Sequence, residues 1–74
     1  PPFTAREFFR ATTPEELGKE LIKVFGAQAT PAQEQIIVAS AVRAAQGALT
    51  DRNFNSVAAE AATVLFALPA FQLH

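Results

Sequence analysis

Apolar positions in this chain recur three and four residues apart, in runs broken by Thr, Pro and Gly. Between residues 14 and 25, Leu17, Leu21, Ile22, Val24 and Phe25 fall on one side of a helical wheel, and Glu15, Glu16, Lys19, Glu20 and Lys23 fall on the other. That is the pattern of a helix with one core-facing stripe and one solvated face, with Glu15 and Lys19 at the spacing of a favourable ion pair. Between 31 and 46 the apolar positions Ile37, Val38, Ala41, Val42, Ala44 and Ala45 spread over about half of the circumference. The polar residues of this stretch are mostly uncharged, which predicts a central helix. Between 51 and 68 there are two apolar strips. One holds Phe54, Val57, Ala58, Ala61, Val64, Leu65 and Leu68; the other, nearly opposite, holds Ala59, Ala62 and Phe66. Only Ser56, Glu60 and Thr63 make a polar edge. A helix that is apolar on two sides needs cover on two sides.

The breaks between runs carry helix-start and helix-stop chemistry. Thr13-Pro14-Glu15-Glu16 and Thr30-Pro31-Ala32-Gln33 both read as capping boxes with proline at the first helical position, where its missing N–H costs nothing. Thr4-Ala5-Arg6-Glu7 fits a third box, flanked by Phe3 and Phe8 as a hydrophobic staple. Thr50 is the fourth candidate cap, with Leu49 and Phe54 as its staple pair, while Asn53 or Asn55 offers a later start. Gly26, Gly47 and Pro69 stand where helices should stop. These signals predict an all-α chain, read over 1–74 as a single helical domain. A short N-terminal helix at about 5–11 precedes three main helices at about 14–25, 31–46 and 51–68, and an apolar tail occupies 69–74.

Small residues recur four apart at Ala41/Ala45, Ala44/Ala48 and Ala58/Ala62, a spacing that lets helix backbones approach closely. The second strip of the last helix, together with the tail, gives the candidate functional surface: Ala59, Ala62, Phe66, Phe71 and Leu73. One chain of this length offers little to cover these side chains. A second copy would cover them in a symmetric pair, the commonest form of oligomer; alternatively, the tail folds back after Pro69 over Phe66.

Composition narrows the chemistry. Half of the 74 residues are apolar, 18% are charged, and the net charge is -1. There is no cysteine, and the single histidine is the last residue, His74, so no nucleophile in the sequence has an adjacent imidazole. Glu15, Glu16 and Glu20 cluster but alternate with lysines, as on a solvated helix face, and the isolated glycines make no phosphate loop. No cofactor, metal, catalytic residue or small-molecule substrate is expected. A balanced charge also argues against nucleic acid, although the stretch from 14 to 46 has helix-turn-helix lengths; its second helix offers only Gln33, Gln35 and Arg43 for contact. The residues from 53 to 74 carry no Lys or Arg, which disfavours an interfacial membrane helix, and no apolar run reaches the roughly 20 residues of a membrane span. The expectation is a non-catalytic interaction or assembly module that associates with itself, as a homodimer, or with another protein. A membrane-active helix released from a larger protein is the alternative, and a small DNA-binding domain the third reading.

Overall fold

The computed structural model describes residues 5–25 and 29–68. A single 3-10 turn, Ala5–Glu7, leads into three helices: α1 at Pro14–Phe25, α2 at Pro31–Ala45 and α3 at Phe54–Ala67. The chain is all-helical, with three main helices as the apolar period requires.

Where the caps are polar and local, the expected boundaries hold. The Thr30 hydroxyl accepts from the Gln33 N–H at 3.2 Å and the Gln33 side chain accepts from the Thr30 N–H at 2.9 Å, so α2 begins on a complete capping box. At α1 the box is skewed by one residue. The Thr13 hydroxyl accepts from the Glu16 N–H at 3.1 Å, but the Glu16 carboxylate reaches back to Thr12, accepting from its N–H and its hydroxyl at 2.9 Å each. These donors, the Thr12 N–H first and its hydroxyl next, hold the Glu16 carboxyl below the usual carboxylate range. α2 ends at Ala45, with Gln46 in the left-handed region at φ 52° and Gly47 at φ 109°, a conformation that only glycine adopts without strain. Leu68, the residue before Pro69, is extended, as its position requires.

Two boundaries differ from the sequence expectation. The N-terminal helix expected at 5–11 is only the turn Ala5–Glu7. The Ala5 carbonyl accepts from both Phe8 and Phe9, at 2.9 and 3.0 Å. The next donor, the Arg10 N–H, points away to the Glu20 carboxylate at 2.9 Å, so the ladder cannot propagate. The last helix starts at Phe54 rather than at 51, with the N-cap at Asn53, the later start the sequence also offers, although its side chain makes no capping bond. Thr50 and Asn53 do exchange reciprocal bonds, Asn53 N–H to the Thr50 hydroxyl at 3.2 Å and Thr50 N–H to Asn53 Oδ1 at 2.8 Å, but they enclose a turn. The Asn53 amide also donates to the Ala48 carbonyl at 2.9 Å, tying that turn to the link behind it. Thr4, Gly26 and the tail 69–74 lie outside the described residues, so the first capping box, the stop after α1, and Phe71 and Leu73 are not placed.

α2 lies between its neighbours, touching α1 and α3 more than these touch each other. The core is built from Leu17 and Leu21 of α1, Ile37, Ala41 and Ala45 of α2, and Phe54, Val57, Ala61 and Leu65 of α3. Each large aliphatic among them contributes about 1.5–3 kcal/mol on full burial. The α1–α2 crossing is close enough that a Cβ on Gly18 would stand 3.0 Å from the Val38 Cα. No polar side chain is buried among the described residues. The half-circumference apolar sector of α2 is only partly used: Ile37, Ala41 and Ala45 are buried, but Val42 faces outward, as does Ile36 outside that sector.

Candidate functional site

The two strips of α3 have different fates. Phe54, Val57, Ala58, Ala61 and Leu65 are buried, with Val64 and Leu68 packed against them. On the second strip Ala62 is half-buried, Ala59 is exposed and Phe66 is 50% exposed. This strip is one wall of an open groove of about 600 Å³. The opposite wall is the last turns of α1, with Leu21, Val24 and Phe25. The N-terminal segment closes one side with Ala5, Phe8 and Phe9. Three stretches far apart in sequence thus converge on one concave surface.

Helical periodicity places Val24 and Phe25 here for a simple reason. They follow Leu21 and Ile22 around the wheel on the same broad apolar face, but the burial of that face stops at Ile22. The sequence reading assigns both to the core; the structure instead leaves Val24 60% and Phe25 45% exposed. Phe25 meets Phe66 edge-on, with centroids 5.6 Å apart and planes at 66°. An edge-to-face pair of this kind is worth about 0.5–1.5 kcal/mol beyond the area it buries. Phe66 therefore has a partner inside the chain, which the sequence did not reveal, and still keeps half of its surface open.

The lining is apolar apart from Asn55, whose Oδ1 accepts from the Ala5 N–H at 2.7 Å. Among the described residues, none that lines the groove is an acid, a base or a nucleophile. Among the described residues, no group of three or more His, Cys, Asp or Glu side chains could hold a metal ion. The surface can exclude water from an apolar partner and little else. Its size is within the range of about 300–1,000 Å³ typical of binding clefts.

Of the residues singled out by sequence, Ala59, Ala62 and Phe66 are brought together in the groove, while Phe71 and Leu73 lie outside the described residues. The sequence reading missed Val24 and Phe25 as groove residues, and also Phe8 and Phe9. Phe8 and Phe9 gave one signal, two adjacent aromatics in a segment too short to bury both on one side. No helix among the described residues is long and apolar enough to cross a membrane. No family model, curated protein or solved structure matches the chain.

Proposed function

We propose that this chain is a non-catalytic interaction module that associates with a second copy of itself through the groove between α1 and α3. The observation that carries the reading is the groove's lining: apolar side chains from three separate stretches, with Asn55 the one polar member among the described residues. An apolar concavity of this kind gains free energy when a partner displaces its water. α3 supplies both a wall, Ala59 and Ala62, and a projecting ring, Phe66. One helix carrying both a recess of small residues and a large side chain suits a two-fold pair, in which each copy's ring fills the other's recess.

Sedimentation equilibrium tests the reading. The unaltered chain is expected at twice its 7.9 kDa mass at high micromolar concentration. Phe66→Glu should give a folded, helical species of half that mass, because Phe66 is half exposed and a carboxylate there stays hydrated until the partner arrives. A single-chain mass for the unaltered protein at that concentration would overturn the proposal.

A further inference from the structure

The segment from Ala5 to Ala11 contributes Ala5, Phe8 and Phe9 to one side of the groove and is fastened to both α3 and α1. On the α3 side the Ala5 N–H donates to Asn55. On the α1 side the Arg10 N–H donates to both Glu20 carboxylate oxygens, at 2.9 and 3.2 Å. Between these points Arg6 joins three groups at once. Its Nε donates to the Asp51 carboxylate at 3.0 Å, and its Nη2 donates to the same oxygen. Its Nη1 donates to the Ala11 carbonyl at 2.9 Å, which fastens the far end of the segment to the near end. Its guanidinium lies 4.3 Å from the centroid of the Phe54 ring, the buried first residue of α3. A planar fork with five donors can bond a carboxylate and a carbonyl while stacking on a ring; a lysine cannot.

We infer that residues 5–11 form a strap that opens and closes as one body, that Arg6 holds it closed, and that closure completes the groove. The inference rests on the proposed function for its consequence, since Phe8 and Phe9 belong to the groove only while the strap is docked. The fastenings are polar and mostly exposed, and exposed ion pairs are individually weak. Opening the strap breaks these ties and exposes Ala5, Phe9 and Ala11, which are buried in the core when it is closed. Anything that fills the groove must favour the closed strap to the same degree that the closed strap favours filling.

Amide hydrogen exchange on the full chain, read by NMR at Ala5 and Arg10, tests this. Arg6→Ala should speed exchange at both amides by one common factor of about tenfold, the sum of a stacked cation and an ion pair. Arg6→Lys should speed both by about threefold, because it keeps the charge and loses the fork. Asp51→Asn, which removes one fastening from outside the strap, should move the two amides together again, and Arg43→Ala should move neither. Exchange that accelerates at Ala5 alone, or at neither site, would overturn the inference. The consequence is read separately. Raising the protein concentration should slow both amides, because only the closed strap completes the surface that associates. Amides that exchange at one rate in the single chain and in the pair would show that closure does not complete the groove. If the unaltered chain is monomeric throughout, the proposed function fails, and the common response of the two amides still decides the strap.

Discussion

Along its middle turns α1 lies against α2 so closely that even a Cβ on Gly18 would press on the Val38 backbone, at 3.0 Å from its Cα. Along its last turn the same helix stands away from α3, and the gap is bridged by one edge-on pair, Phe25 on Phe66. Both junctions are made of apolar residues, so hydrophobicity does not distinguish them. Residue size does. A glycine lets backbones approach until side chains from both helices interlock, whereas two phenylalanines meeting near the helix ends hold the helices apart and leave a groove beside them. One end of α1 is thereby core, and the other is exposed apolar surface.

That contrast can be broken most forcefully at its closed side. Gly18→Val should destabilise the fold by about 1–3 kcal/mol, since the new side chain would meet the Val38 backbone and α2 would have to move. Chemical denaturation measures the loss. A midpoint unaffected by this change would mean that the crossing is looser than the geometry states.

A smaller effect is expected at the N-terminus of α1, which sets how the helix enters the closed junction. Thr13→Ala removes the hydroxyl that accepts from Glu16 and should cost about 1 kcal/mol, within the usual range for a lost cap. The groove should be unaffected, so self-association of the folded variant should match that of the parent. The Glu16 carboxyl beside it adds a pH dependence. Its pKa is lowered in the fold, so its contribution is present above the ordinary carboxylate value and is lost as the pH falls through the lowered one. An NMR titration should place Glu16 below the ordinary carboxylate range, and Thr12→Val should move it part of the way back. A midpoint at the ordinary value would remove the Thr12 bonds from the account.

The smallest effect on stability is expected on the open side. Ala62→Leu adds volume where the groove has space, so the folded monomer should change by no more than about 0.5 kcal/mol. The same change fills the recess and should abolish self-association. Enlarging a residue would then unfold one junction of α1 and merely plug the other. Equal destabilisation by Gly18→Val and Ala62→Leu would erase the distinction between them.

The three main helices were legible because their signals are local. A hydroxyl three residues before an amide, a proline at a first turn and an apolar repeat of 3.6 all act within a few residues, and Thr13, Thr30 and Leu68 behave as their neighbours dictate. The two misplaced boundaries have different physical reasons. The Arg10 N–H, which could have extended a helix, is taken by the Glu20 carboxylate, whereas Thr50 and Asn53 close a turn on each other and leave the helix to begin after it. Glu20 and Arg10 are ten residues apart with a turn between them, and no periodicity reports such a bond.

The sequence by itself determined that the chain is helical, where its main helices lie to within a turn, and that α3 carries an apolar strip in excess of what one core needs. Only the tertiary structure decided what stands opposite that strip. Val24 and Phe25 share a wheel face with Leu21 and Ile22, and a wheel cannot tell which of them α2 will cover. That depends on where Gly18 lets the two helices cross, a distance set by packing between elements and not by order along the chain.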